Sequence, residues 1–274
     1  MIFVCPKCGG KLNIDKDRSA FCALGHRYDR SREGYYNLLL SNAGGIHGDN
    51  AEMIKARSAF LDKGYYAPLA DILANTALRL APSAESLVDA GCGEGYYTER
   101  VIKAYTDGRG KDFSDAVNAF DISKAAVKRA AKRCRGANFA VATSYGMPIA
   151  DNTVDILINT FSPLAESETA RVLKRGGVFL MAIPAEEHLF ELKAAIYDAP
   201  YKNEVQPTRL EGFALLEEKK VAFKIQLNSG DDIRNLFMMT PYAYRTSQAG
   251  REKIMALEKL ECSADFILLA YKKL

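Results

Sequence analysis

The sequence predicts a doubly wound α/β domain, its sheet mostly parallel with an antiparallel edge, preceded by a small metal-bound knuckle. Three observations predict it. Strand and helix patterns alternate from residue 86 to residue 184, the signature of parallel strands joined by crossover helices. The first of these strands runs into a glycine-rich turn, VDAGCGEGYY. Near the start, Cys5, Cys8, Cys22 and His26 stand at ligand spacing in a chain with only three histidines.

The knuckle comes first along the chain. Zinc takes four soft or borderline ligands in a tetrahedron, and Cys5-x2-Cys8 with Cys22-x3-His26 supplies them across 13 intervening residues. That set is closed, with no open position for water, so the expected role is structural. The intervening GGKLNIDKDRSAF reads as a hairpin turning at residues 15–17. A segment this small has almost no core of its own, and metal binding would fold it. A redox Cys-x-x-Cys pair is the alternative, but it needs neither Cys22 nor His26. Cys92, Cys134 and Cys262 are scattered and read as small buried hydrophobes.

Residues 36–50 read as a pliable linker between a knuckle at 1–35 and a catalytic domain at 51–274, with His47 on the surface of that loop. From Ala51 the spacing of Ile54, Phe60 and Leu61 is helical, and a second helix follows Tyr66-Ala67-Pro68. Strands are predicted at 86–90, 116–122, 137–143, 154–161 and 178–184. Helices fall between them at 97–105, at 124–134 with Ser123 as N-cap, and at 166–174. A Lys174-Arg175-Gly176-Gly177 turn precedes the fifth strand. An extended pair near 213–227 and a strand at 264–273 make the antiparallel edge.

Size and charge narrow the field. At 274 residues, 48% hydrophobic and 26% charged, the chain has material for one large core and an appendage. No apolar run approaches the roughly 18 residues of a membrane span, and the start shows no secretory pattern, so a cytoplasmic protein without a membrane partner is expected. Residues 1–60 hold nine Lys and Arg against six Asp and Glu, while the remainder balances. Any anionic partner should therefore lean towards the N-terminal part.

In open α/β sheets the ligand lies at the carboxyl ends of the strands, beside the first strand-to-helix turn. Here that turn carries Asp89, Gly91, Gly93, Glu94 and Gly95. A dinucleotide fingerprint would need glycine where Tyr96 stands, which disfavours a nicotinamide oxidoreductase. Asp89 would repel a pyrophosphate and suits a cation. S-adenosylmethionine fits, having no phosphate but an ammonium and a sulfonium. Asp121, ending the second strand, is placed for both ribose hydroxyls, although it can equally cap the helix opening at Ser123. Two other classes share these features: a small-molecule methyltransferase with a structural zinc, and a zinc-bearing RNA-binding module with a vestigial pocket.

The chain resembles the bacterial large-subunit ribosomal RNA guanine-N1 methyltransferases of the RlmA type, a likeness running over nearly its whole length. It rests on the four zinc ligands and on GDNAEMIKARSAFLDKGYY (48–66), VDAGCGEGYYTE (88–99), HLFELKAAIY (188–197) and MTPYAYR (239–245). The resemblance implies a class I S-adenosylmethionine-dependent methyltransferase fold. It also implies a zinc knuckle that forms a cleft for an RNA hairpin with that domain, and a homodimer. Carried over, the cofactor contacts are Tyr66, Gly95, Tyr96 and His188, the two tyrosines packing aromatic faces on the adenosine or the sulfonium. Neither the catalytic base nor the residues holding the acceptor base can be read, since the Asn159-Thr160-Phe161-Ser162-Pro163 segment matches no pattern.

Overall fold

The computed structural model describes residues 1–40, 48–205 and 208–274. His47 and the linker glycines Gly44 and Gly45 lie outside the described residues. The knuckle is a three-stranded antiparallel ribbon, β1 (Asn13–Ile14), β2 (Ala20–Phe21) and β3 (Arg27–Tyr28). The expected turn carries Arg18 in the left-handed region (φ 63°), and Asp15 accepts the Ser19 N–H at 2.8 Å. Tyr35–Asn37, where the predicted linker starts, forms strand β4, which pairs in parallel with the main sheet.

Helix α1 (Ala51–Leu61) is opened by Asn50, which accepts the Met53 N–H at 2.9 Å, and α2 (Ala67–Leu80) by a proline in its first turn. Then come β5 (Leu87–Ala90), α3 (Tyr96–Arg109), β6 (Val117–Asp121), α4 (Lys124–Arg133), β7 (Asn138–Val141) and β8 (Val154–Thr160). The predicted strands are therefore present with their ends trimmed, and Ser123 caps α4 by accepting the Ala126 N–H. After α5 (Glu166–Val172), β9 (Leu173–Pro184) begins earlier than expected. The Lys174–Gly177 stretch is a bulge within the strand, Val154 facing Leu173 and Ile156 facing Val178.

Helix α6 (Phe190–Ile196) precedes β10 (Phe213–Leu227), one 15-residue strand where an extended pair was predicted. Helices α7 (Gly230–Met238), α8 (Tyr242–Arg245) and α9 (Gln248–Met255) lead to β11 (Leu260–Lys273). The sheet order is β10-β11-β9-β8-β5-β6-β7-β4, and only β11 runs against the others, antiparallel to both β10 and β9. Strand order reverses at β5, which lies between β6 and β8, so a crevice opens at its carboxyl end.

Alternation along the strands sorts the core into two layers. Ile156, Ile158, Leu180 and Phe266 face α2, α3 and α4 in one buried cluster. Val88, Leu157, Phe179 and Leu269 face the other way, in a cluster shared with Phe3, Leu12 and Ala20 of the ribbon. The Val4 N–H donates to Pro148 O at 2.8 Å and the Ile2 N–H to Asn118 Oδ1 at 3.0 Å. The ribbon is thus built into the sheet's second core layer. Among the described residues no helix is long and apolar enough to cross a membrane.

Candidate functional site

Two sites are assembled. In the ribbon, the ligand atoms of Cys5, Cys8, Cys22 and His26 all lie within 4.8 Å of one another. Cys8 and Cys22 sulfurs are 3.7 Å apart, and His26 Nδ1 is 3.4 Å from Cys5 and 3.3 Å from Cys22. A tetrahedral zinc with Zn–S near 2.3 Å would space its ligand atoms about 3.7 Å apart. The donor set and its spacing therefore fit zinc. Tyr28 places its hydroxyl 3.2 Å from Cys5 Sγ, in range to hydrogen-bond a coordinating thiolate. Cys92, Cys134 and Cys262 are all buried, far from this spacing in sequence and without a metal-ligand cluster among the described residues.

The second site is the glycine turn. Gly91, Gly93 and Gly95 take φ of 81°, 55° and 87°, the left-handed region that side chains avoid. A Cβ at Gly91 would also overlap the Ser162 side chain from the loop after β8. Asp121 stitches the turn to α4: Oδ2 accepts the Gly93 N–H at 3.0 Å and Oδ1 the Ser123 N–H at 2.7 Å. A cleft beside it is lined by Gly91, Asp121, Ile122, Thr143, Ser144 and Ser162. Asp89 is buried; Oδ2 accepts the Thr98 hydroxyl at 2.5 Å, while Oδ1 has no partner among the described residues. The nearby Arg57 is paired with Asp49 at 2.5 Å. An unpaired buried carboxylate oxygen beside a backbone cradle fits a cationic, phosphate-free ligand such as S-adenosylmethionine.

Burial pushes the Asp89 carboxyl up to about 7, helped by the neighbouring Asp121 and Glu94. Unfolded, it ionises near 3.9. Between roughly pH 4 and pH 7 the folded state therefore keeps a proton that the unfolded state has released, and stability falls as pH rises through that window. Asp89→Asn is expected to remove this slope. The thermal midpoint of the ligand-free protein should gain most at pH 8, with the gain vanishing near pH 4; an equal shift at both values would contradict the protonation argument.

The remaining expected contacts are only partly brought together. Tyr66 is buried, its hydroxyl 3.5 Å from His188 Nε2, and its ring packs edge-on against Phe60 and Phe266. His188 is half-buried in the turn before α6. Its Nδ1 accepts the Asp265 N–H at 3.4 Å, and burial holds its pKa down to about 3, with Lys193 adding to the effect. The ring is therefore neutral, with its proton on Nε2. Tyr96 gives its backbone to the turn, but its ring lies under Arg133 and Arg100, at 6.0 and 5.7 Å. The neighbouring Tyr97, which sequence reasoning passed over, packs on Phe161 at 6.0 Å, and Phe161 stacks on His188 at 6.4 Å.

Also missed were Asp49 and Arg57. Asp49 O accepts the Ser123 hydroxyl at 2.6 Å, and Gly48 sits so close to Ile122 and Ser123 that a Cβ there would reach 2.8 Å. The 48–57 segment is thus clamped over the glycine turn. The GDN…R pattern in the 48–66 segment was the available signal.

Comparison with known proteins agrees with this geometry. A family profile described as "Methyltransferase domain" matches residues 82–237, and one described as "RlmA, N-terminal" matches residues 3–42. A 23S rRNA (guanine(748)-N(1))-methyltransferase of Streptomyces fradiae is 37% identical over 195 residues, 70% of this chain and 66% of that protein. A protein of Micromonospora griseorubida, provisionally named a 23S rRNA (guanine-N(1)-)-methyltransferase, is 37% identical over 206 residues, 69% of this chain and 67% of its own. A Bacillus subtilis (strain 168) protein with the same provisional designation is 27% identical over 275 residues, 96% of this chain and 93% of its own. The matched part spans just under two thirds of the Streptomyces relative.

Sheet order, glycine cradle and profile together define a class I S-adenosylmethionine-dependent methyltransferase. The zinc ribbon ahead of it narrows the class. The chain belongs to the RlmA-type family of 23S rRNA (guanine-N1)-methyltransferases.

Proposed function

We propose that this chain methylates N1 of a guanine in a hairpin loop of 23S rRNA, acting in the cytoplasm as a homodimer. In this reading residues 1–35 hold the RNA and residues 51–274 do the chemistry, with Tyr35–Asn37 joined to the latter's sheet. The observation that carries it is the ribbon, whose apolar residues share a buried cluster with strands of the methyltransferase sheet. A stabilising appendage would have no reason to carry the chain's excess of basic residues, nine against six in the first 60. The printed names of the relatives support the same substrate.

When bound, S-adenosylmethionine supplies a methyl group on a sulfonium. Asp121, Gly91, Gly93 and Gly95 would hold it, with Asp89, Tyr66, Tyr96 and His188 as further contacts. Positioning the acceptor nitrogen in line does much of the work in such a transfer. Guanine N1 lies on the pairing edge, so the base must be unpaired or swung out. Its N1 proton must also leave. With Nδ1 facing the Asp265 N–H at 3.4 Å, His188 is poorly placed to take it. The ring instead serves as an oriented Nε2–H donor beside the Tyr66 hydroxyl.

Incubating the enzyme with methyl-labelled cofactor, rRNA lacking the modification and a small-metabolite extract tests the proposal. Label is expected in the rRNA as 1-methylguanosine at one position. Label confined to the metabolite fraction would refute it.

A further inference from the structure

We propose that Phe161 is the platform on which the acceptor guanine stacks; this rests on the function proposed above. Strand β8 is buried along its length and ends at Thr160. The next residue, Phe161, departs from ordinary backbone geometry with φ at 57° and is 42% exposed. A bulky residue in the left-handed region is strained, and strain of this kind persists where the surroundings impose it, commonly at ligand sites. An exposed phenyl ring is a second unfavourable choice at the same position. Neither serves the core.

The surroundings do impose it. The Phe161 N–H donates to Ala182 O of β9 at 3.1 Å, which pins the backbone on one side. Ser162, the next residue, packs so tightly on Gly91 that only glycine fits there, which ties the other side to the cofactor turn. The ring is then steadied by Phe266 at 5.3 Å, Tyr97 at 6.0 Å and His188 at 6.4 Å, the last nearly parallel at 17°. The loop thus presents a flat apolar face at the carboxyl end of β8, next to the turn that cradles the methyl donor. Thr160 Oγ1, one residue earlier, and the hydroxyl of Tyr97 are buried and have no partner among the described residues. A planar base stacked on Phe161 is the chemistry that covers the bare face. Stacking tolerates any base, so Phe161 provides affinity and placement while hydrogen bonds choose guanine.

Phe161→Leu keeps the apolar bulk and removes the flat face. With an rRNA hairpin fragment as substrate, kcat/KM for RNA is expected to fall roughly 10- to 100-fold, the range that loss of one stacked base gives. Affinity for S-adenosylmethionine, measured by calorimetry, should stay within about three-fold of wild type, since stacking on the acceptor is what is lost. RNA kinetics within three-fold of wild type would overturn the platform, as would a parallel loss of cofactor affinity. The chain has no tryptophan, so Phe161→Trp introduces its sole indole emitter and gives a second readout that needs no turnover. Its emission should be quenched on addition of the hairpin but not of an abasic hairpin lacking the target guanine; no difference between the two would also overturn the proposal. If the wild type methylates no rRNA, the proposed function itself has failed, a result distinct from either of these.

Discussion

Cys22→Ser is expected to empty the ribbon of metal and to lower rRNA methylation by roughly 100-fold or more, because a ribbon without its metal does not hold its fold. The three ribbon strands are two residues each, and they converge on the cluster of three sulfurs and one imidazole nitrogen within 4.8 Å. Losing one ligand leaves an incomplete tetrahedron around which those strands cannot close. Cys5 and Cys22 pack in the sheet's second core layer, so the change reaches that layer, but the larger layer contains neither of them and the glycine turn is braced by Asp121 and Ser123. Affinity for S-adenosylmethionine should therefore change little. Metal analysis of the purified variant, paired with calorimetry and single-turnover methylation, checks all three statements. A point substitution tests the division of labour better than removing residues 1–35, which would also take Tyr35 from β4 and Phe3 from the second core layer.

Asp121→Ala is expected to produce the largest loss at the other end of the molecule, weakening S-adenosylmethionine binding by roughly 100- to 1,000-fold. The carboxylate accepts the N–H groups of Gly93 and Ser123 at 3.0 and 2.7 Å, so it shapes the turn as well as facing the cleft. Hydrogen bonds to a charged group contribute about 1.5–3 kcal/mol each, and truncation also leaves the Gly93 N–H without this partner. Two such losses amount to about 3–6 kcal/mol, and the stated range takes the lower part of it because some of the loss falls on the stability of the turn and not on binding. Asp121→Asn should lie between, since one amide oxygen can still accept one of the two N–H groups. Calorimetric titration of both variants distinguishes the carboxylate's role from a merely steric one.

Much of this was legible before any coordinates. Metal ligands announce themselves because short spacings must bring sulfur and nitrogen to one point, and Cys5, Cys8, Cys22 and His26 do converge. The glycine turn announces itself because left-handed backbone is closed to most residues, and all three predicted glycines occupy it. What stayed hidden has physical reasons too. Strand β4 is three residues long, too short to show alternation, and it exists because β7 offers an edge. Helix α7 carries two aspartates in its first turn, and its place depends on Asp232 accepting from Lys63 and Tyr65 across 167 or more residues. The exposure of Phe161 was invisible because it comes from a left-handed backbone that no sequence pattern encodes. Tyr96 and Tyr97 are adjacent, and only the phase of α3 decides which ring meets the arginines and which meets Phe161.

The central claim is that the crevice at the carboxyl end of β5 takes a cationic, phosphate-free methyl donor. Titrating the full-length chain with S-adenosylmethionine, and separately with NAD+, tests it most directly. One molecule of S-adenosylmethionine bound per chain, with no heat from NAD+, is the predicted result; binding of NAD+, or no binding of S-adenosylmethionine, would contradict it.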